Sequence, residues 1–269
     1  MSLDHFAFVL FKPKSLGNIG AAARALKNMG CRDLRIVQPA GFHIANDSEP
    51  TRARQAPASD DAKKMAVHGR DILAAATIHS GLDSALADRT LVVGTTARAG
   101  LYRSEARPIR EVSHELSALS EANRIAFLFG PEDCGLTNEE LKFCQRLITI
   151  PTAPEYPSLN LAQAVMIIAY ELMLAAGAAR ELPSARQLAR IPDVDAMLSR
   201  MSQALVAIGF LPEDNPDHIM FALRAILGRA GLRPRELYIM NGIASQIIWF
   251  AKSGHDTLAK KRAAGKKLR

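Results

Sequence analysis

Short apolar runs alternate with helix-like segments throughout the first 180 residues of this chain. Five runs have the length of a buried strand and lack polar alternation: 5–11, 33–37, 91–94, 125–129 and 147–150. Helical patterns follow, the clearest at 19–29, 108–119 and 159–179. A strand that is buried on both faces is apolar throughout, as in parallel sheets covered by helices. The alternation therefore predicts an α/β domain with a mainly parallel sheet.

The strand signals stop after residue 181, and three helical segments follow at 192–208, 217–230 and 234–251. We therefore predict two folded parts and two connecting or terminal segments. These are a main domain over 1–180, a linker over 181–190, a small all-helical extension over 191–253 and a basic tail over 254–269.

The positive charge of the chain is concentrated at its C-terminal end. Of the formal net charge of +7, residues 251–269 carry seven basic side chains and one acidic one, which leaves about +1 for the rest. The total is thus weak evidence that the folded part binds nucleic acid. A solvated tail and an arm that contacts phosphates both fit this distribution.

Several classes of protein are disfavoured by composition. No apolar stretch approaches the roughly 18 residues of a membrane span, and the N-terminus lacks the pattern of a secretory signal. The three cysteines include no CxxC pair, and no histidines stand four residues apart, so we expect neither a disulfide framework nor a metal site. A reducing, cytoplasmic location and no membrane partner are expected.

Polar segments with glycine follow the predicted strands, at the edge where parallel sheets bind ligands. They are 17–24 (GNIGAAAR), 94–98 (GTTAR), 129–141 (FGPEDCGLTNEEL) and 155–165 (EYPSLNLAQAV). The first is not a dinucleotide-binding loop, because it has GxxG instead of GxGxxG and the second strand does not end in an acidic residue. This disfavours a nucleotide-dependent oxidoreductase.

Taken singly, the polar residues of these segments have ordinary structural interpretations. Asn18 is a good N-cap for the helix predicted from residue 19, and Ser158 for the long helix. Arg24 alone could be a solvated helix residue, Glu132 a surface carboxylate and Asn160 a local capping residue.

Their joint occurrence, in order, is more specific. The patterns N-x-G-x-x-A-R (18–24), F-G-x-E-x-x-G-L (129–136) and S-L-N (158–160) resemble the three motifs of the SpoU RNA methyltransferases, over about residues 5–180. Within that family the chain is most similar to enzymes that 2′-O-methylate nucleotide 32 of the tRNA anticodon loop. The stretches GLTNEEL (135–141) and PEYPSLNLA (154–162) carry this likeness, whereas Pro131 stands where that branch usually has arginine.

The resemblance implies a SPOUT-type fold with a C-terminal trefoil knot, from about residue 90 to 174, that binds S-adenosylmethionine. It also implies an enzyme, an RNA ribose 2′-O-methyltransferase that works as a homodimer on RNA, most specifically tRNA. The alternatives are an enzyme that 2′-O-methylates another tRNA or rRNA position, and an RNA-binding module without activity. The implied cofactor-binding residues are Thr95, Thr96, Ala97, Gly130, Ile150, Pro157, Ser158 and Leu159.

The same resemblance implies the reacting groups. Arg24 is expected to stabilise the substrate oxygen, Asn160 and Ser158 to orient the ribose or the cofactor, and Glu132 to hold Arg24 or its loop. The first helix and the long apolar helix are the expected dimer surfaces. The expected RNA-binding residues are Asn18, Arg24, Arg98, Arg103, Arg107 and Arg110.

Overall fold

The computed structural model describes residues 3–40, 51–52, 60–98, 103, 105–177, 187–212 and 216–254. The chain forms two compact units, Met1–Ile191 and Pro192–Arg269. The predicted linker lies only partly within the described residues, and the predicted tail lies almost wholly outside them.

The first unit contains an eight-stranded sheet in the order β3-β4-β2-β1-β7-β5-β8-β6. Every strand pair is parallel except β3 with β4, which confirms the predicted fold class. The strands are β1 (Phe6–Phe11), β2 (Asp33–Val37), β3 (Thr51–Arg52), β4 (Thr77–His79), β5 (Leu91–Thr95), β6 (Arg107–Pro108), β7 (Ile125–Phe129) and β8 (Arg146–Thr149).

Seven α-helices of this unit are described. They are α1 (Leu16–Met29), α2 (Asp60–Ala66), α3 (Arg70–Ala75), α4 (Leu82–Leu86), α5 (Ile109–Leu119), α6 (Asn138–Leu141) and α7 (Leu161–Gly177). A 3₁₀ turn, Val67–Gly69, joins α2 to α3.

The centre of the sheet is buried on both faces. All of β1 and β7 is buried, and the rings of Phe8 and Phe127 stack with centroids 5.6 Å apart. Residues of α1 and α7 join this core. Burial on both faces explains why these strands are apolar runs without alternation.

The position of β8 gives the sheet an unusual crossing. β8 lies between β5 and β6, although β6 precedes it in the chain. β5 and β6, which follow one another in the chain, are therefore not neighbours in the sheet. A trefoil knot further requires the chain after β8 to pass through the segment that joins β5 to β6, and this stays a prediction. β6 was not predicted, because an Arg-Pro pair has no apolar run to mark it.

Two predicted helix starts are wrong, and both errors concern site residues. α1 begins at Leu16, and its N-cap is Ser15, whose hydroxyl accepts a hydrogen bond from the Asn18 backbone N–H. α7 begins at Leu161, and the Asn160 side chain, instead of Ser158, accepts from the Ala162 N–H at 2.9 Å. Ser15 takes the capping role and leaves the Asn18 side chain available for other contacts.

The second unit contains the three predicted helices, which confirms the helical C-terminal region. They are α8 (Ile191–Ala207, which starts at the last residue of the first unit), α9 (Asp217–Ala230) and α10 (Pro234–Trp249). Their core includes Met197, Leu198, Met201, Ala204 and Ala244. None of the helices in the described part of the chain combines the length and hydropathy of a membrane span.

Gly20 permits a very close approach of α1 to α2, and this yields a stability prediction. A Cβ atom at Gly20 would lie 2.0 Å from the Ala62 carbonyl oxygen, which is backbone and cannot move alone. We expect Gly20→Ala to lower the free energy of unfolding by about 1–3 kcal/mol, as overpacking does. Denaturant unfolding followed by circular dichroism measures this.

Gly17→Ala is the matched control. Its Cβ would meet nothing nearer than 3.5 Å, and alanine is intrinsically better than glycine in a helix. The control should be neutral or stabilising, by up to about 1 kcal/mol. Equal stability of the two variants would contradict the close packing of α1 on α2.

Candidate functional site

A cavity of about 300 Å³ opens at the carboxyl ends of β5, β7 and β8. This volume is at the lower end of the range for small-molecule sites, roughly 300–1,000 Å³. All eight residues predicted to bind the cofactor line it: Thr95, Thr96, Ala97, Gly130, Ile150, Pro157, Ser158 and Leu159. The three connections that supply them, after β5, after β7 and between β8 and α7, are brought to one edge by the parallel sheet.

The cavity wall after β7 is a tight loop that only glycine permits. A Cβ at Gly130 would lie 2.3 Å from the carbonyl carbon of Gly135 and from the Leu136 nitrogen. Gly135 has φ +61°, in the left-handed region, and its N–H donates to the Pro131 carbonyl at 2.8 Å. The backbone therefore approaches the cavity closely on this side.

The wall after β5 is held by threonine hydroxyls. Thr95 Oγ1 donates to the Leu128 carbonyl at 3.0 Å, and Thr96 Oγ1 accepts from the Arg98 N–H at 3.1 Å. Apolar side chains, including Ile148, Leu161 and Ile168, line the same cavity. Such a mixture of apolar surface and backbone polar groups suits a nucleoside-like ligand.

A chain of side-chain hydrogen bonds joins the three sequence motifs beside this cavity. Asn160 Nδ2 donates to Asn18 Oδ1 at 2.9 Å, and Asn18 Nδ2 donates to Glu132 Oε1 at 2.9 Å. Glu132 also accepts from the backbone N–H groups of Lys14, at 2.9 Å, and Ser15, at 3.3 Å. The sequence patterns alone had not indicated that Lys14 and Ser15 take part.

These bonds determine the charge state of Glu132. Burial raises the pKa of the Glu132 carboxyl, but the hydrogen bonds from Asn18 and from the backbone N–H groups more than offset it and lower the pKa below its ordinary value. The group is therefore an ionised acceptor at neutral pH and is not suited to act as a general acid. It brings negative charge to the cavity, whereas Asp133, which also lines the cavity, is paired with the Lys14 ammonium.

Arg24 does not line the cavity of its own subunit. The Arg24 residue is exposed on α1, and the backbone of Gly69 packs against the Arg24 backbone. Within the described residues, Arg24 has no hydrogen-bond or ion-pair partner for its side chain. Glu132 was expected to hold either Arg24 or its loop. In the structure it binds the loop before α1.

The other arginines predicted to bind RNA differ in their surroundings. Arg98 is exposed and lines the cavity. Arg107 lies 3.7 Å from Glu111, and Arg110 forms an ion pair with the buried Glu171 at 2.8 Å. Arg103 donates to backbone and amide oxygens of the loop after β7.

Comparison with known proteins places this site in a family. Residues 5–170 match the SpoU rRNA Methylase family, and residues 192–261 match the C-terminal domain of the tRNA methyltransferase TrmJ. The chain is 35% identical to a tRNA (cytidine/uridine/adenosine-2′-O-)-methyltransferase TrmJ of Pseudomonas aeruginosa, over 91% of this chain and 94% of that protein. It is 34% identical to TrmJ of Salmonella choleraesuis, over 91% and 97%.

The chain belongs to the SpoU methylase family. Within it, the chain belongs to the TrmJ methyltransferases. The crystal structure of TrmJ from Z. mobilis ZM4 superposes with a TM-score of 0.69 at 28% identity and covers 90% of this chain and 98% of its own. Family membership confirms the predicted enzyme class, a ribose 2′-O-methyltransferase, and with it S-adenosylmethionine as the methyl donor.

The cavity of this SpoU methylase fits that donor by the chemistry of its lining. Backbone reaches the cavity at Gly130, which suits a flat nucleoside, and the Glu132 carboxylate favours a cationic sulfonium, whereas Asp133 is paired with Lys14. Among the described residues, no cluster of three or more side chains is arranged to hold a metal ion.

Asn160 has two roles that mutagenesis can separate. Asn160→Ala removes the N-cap of α7 and the bond to Asn18, so we expect a loss of about 1 kcal/mol in unfolding free energy. Asn160→Asp keeps a good capping oxygen but cannot donate to Asn18. Its stability should stay within about 0.5 kcal/mol of the wild type, because aspartate and asparagine cap helices equally well.

We expect both variants to lose at least about tenfold in methyl transfer, because Asn18 loses one of the two side-chain bonds that orient it and misplaced groups are costly in catalysis. Chemical denaturation and a radiolabelled methyl-transfer assay measure the two effects. Full activity of Asn160→Asp would show that only the helix cap matters.

Proposed function

We propose that this chain uses S-adenosylmethionine to methylate the ribose 2′-oxygen of nucleotide 32 in the tRNA anticodon loop, as a cytoplasmic homodimer. The tRNA substrate is supported by the relatives named as tRNA 2′-O-methyltransferases, which match over 91% of the chain. The nucleotide is supported by the resemblance of residues 135–141 and 154–162 to the enzymes that act at position 32.

One observation carries the proposal: the hydrogen-bonded chain from Asn160 through Asn18 to Glu132 lies beside a cavity of cofactor size. Residues more than 100 positions apart are held together without forming part of the core. Polar residues that converge in this way at the carboxyl edge of a sheet are the usual form of a functional site.

The methyl donor, when bound, supplies a methyl group already activated on a sulfonium. The chain therefore has to hold donor and ribose in line and to exclude water. Ser158 is exposed at the cavity, where its hydroxyl can orient the ribose or the donor. Asn160 orients Asn18, and the ionised Glu132 holds Asn18 from the other side.

Arg24 supplies positive charge to the substrate. A guanidinium is not deprotonated in proteins and is a poor base, but it binds phosphate well and stabilises a developing alkoxide. Since Arg24 is exposed and does not line its own cavity, we propose that it completes the cavity of the partner subunit.

Exposed apolar side chains support a homodimer of this kind. Met65 and Val67 are exposed beside α1, and Tyr170 and Leu174 are exposed on α7. Large apolar residues grouped on neighbouring helices are typical of a subunit interface. A two-fold arrangement would bring each Arg24 toward the other subunit.

The RNA contacts follow from the same placement. Arg98 lines the cavity, and Asn18 is bonded to Glu132, which lines it too, so we expect both to contact the target nucleotide and its phosphate. Arg107 and Arg110 are paired with acidic residues and would have to exchange partners to contribute. Because such phosphate contacts release counterions, tRNA affinity should fall with rising salt.

Arg24→Ala tests the catalytic role. We expect methyl transfer to fall by at least about a hundredfold, the scale of losing one stabilising charge in the transition state. The affinity for S-adenosylhomocysteine, measured by calorimetry, should stay unchanged. Lys27→Ala, on the same helix and paired with Asp71, is the control and should be active.

Mixed dimers test whether Arg24 acts across the interface. Gly130→Ala should displace the loop that forms one wall of the cavity and so impair donor binding, because its Cβ would clash with the Gly135 backbone. A dimer of one Arg24→Ala and one Gly130→Ala subunit, both shown to be folded, should recover activity. If the mixed dimer does not recover activity, Arg24 acts on the substrate bound in its own subunit.

Nucleotide 32 is tested by mapping 2′-O-methylation in total RNA from a strain that lacks the gene. We expect loss at position 32 of a set of tRNAs, and restoration by the wild type but not by Arg24→Ala. Loss of methylation at another tRNA position or in rRNA would overturn the assignment of the nucleotide, but not the assignment of the reaction as ribose 2′-O-methylation. An unchanged map, with no binding of S-adenosylhomocysteine, would favour an RNA-binding module.

A further inference from the structure

Arg103 makes contacts that differ from those of the other arginines near the cavity. Its Nη2 donates to the Leu136 carbonyl at 2.9 Å, and its Nη1 donates to Asn138 Oδ1 at 3.2 Å. Among the described residues it has no carboxylate within ion-pair distance, whereas Arg107 and Arg110 each have one. Its guanidinium is thus used to bind one particular loop.

That loop forms one wall of the cavity. Leu136 lines the cavity and is only 3% exposed, and its backbone nitrogen lies against Gly130, which lines the cavity too. Beyond Leu136, Thr137 caps α6 with a complete capping box that involves Glu140. Arg103 therefore binds the loop on both sides of the cap residue, between the cavity wall and α6.

Arg103 also belongs to the connection that supplies a second wall of the cavity. It follows Thr95, Thr96, Ala97 and Arg98 in the chain, all of which line the cavity, and it precedes β6. One side chain thus joins the connection after β5 to the loop after β7. A charged donor on a carbonyl is a stronger bond than a neutral pair, which suits a tether between two walls.

We propose that Arg103 is a positioning residue that holds the two walls of the cofactor cavity together, and that it sets the affinity for the methyl donor instead of contacting RNA. This inference rests on the proposed function, because it takes the cavity to be the site of S-adenosylmethionine. Arg103 touches neither donor nor ribose in this scheme, and its effect passes through Leu136 and Gly130.

Calorimetry of S-adenosylhomocysteine binding, together with steady-state methylation, tests the proposal. In Arg103→Ala we expect the Kd for S-adenosylhomocysteine and the KM for S-adenosylmethionine to rise by about tenfold, the scale of a lost charge-assisted hydrogen bond. The kcat at saturating donor and the Kd for tRNA should stay within about twofold, since neither depends on the tether. Arg103→Lys, which keeps a charged donor, should recover part of the donor affinity.

Arg107→Ala is the matched control. Arg107 begins β6, at the end of the same connection, and its ion-pair partners are Glu111 and Glu115 on α5. Its removal should leave the donor affinity unchanged. If Arg103→Ala unfolds, Arg103→Lys and Arg103→Gln are measured instead, and donor affinity should fall in the order arginine, lysine, glutamine.

Two results would overturn the inference. One is unchanged donor affinity in every Arg103 variant, and the other is a rise in the tRNA Kd without a rise in the donor Kd, which would make Arg103 an RNA contact. Failure of the proposed function is distinguishable, because the wild-type protein itself would then not bind S-adenosylhomocysteine.

Discussion

The Glu132 carboxylate is the point at which the separate parts of the site are joined. It accepts hydrogen bonds from the Asn18 side chain and from two backbone N–H groups of the loop before α1. Burial alone would raise the pKa of this group, and the three donors lower it instead, so the group stays ionised. An ionised acceptor holds its donors more strongly than a neutral one, and the placement of Asn18 and then of Asn160 depends on it.

The cavity beside this carboxylate is lined by close backbone and by packed apolar side chains such as Ile148 and Ile168. Gly130 allows the loop after β7 to fold onto itself, and the hydroxyls of Thr95 and Thr96 are used within the protein. Such walls have few flexible side chains to order on binding, so little entropy is lost there when a ligand enters. The walls must instead be kept at the right separation, which is the role proposed for Arg103.

Four of the arginines that were predicted to bind RNA differ in whether an acidic residue is paired with them. Arg107 and Arg110 are paired with acidic residues of α5 and α7, and of the two pairs only the one with Arg107 is exposed on both sides and expected to contribute little to stability. Arg24 and Arg98 are exposed without an ion-pair partner among the described residues. Of these four arginines, Arg24 on α1 and Arg98 at the cavity are therefore the ones available to bind a phosphate.

The pattern of the sequence predicted the class of fold, and the resemblance of its motifs to a known family implied eight of the residues that line the cavity. Buried strands such as β1 and β7 are visible as apolar runs, and glycine marks two special positions of the loop after β7: backbone too close for a side chain at Gly130 and a left-handed φ at Gly135. Helix starts were predicted less well, since Ser15 and Asn18 are both good caps and only packing chooses between them. The tertiary structure alone decided that Asn18 joins Asn160 to Glu132, that Arg24 lies away from its own cavity and that β8 enters between β5 and β6. Contacts between residues more than 100 positions apart depend on the path of the chain, and no local pattern records that path.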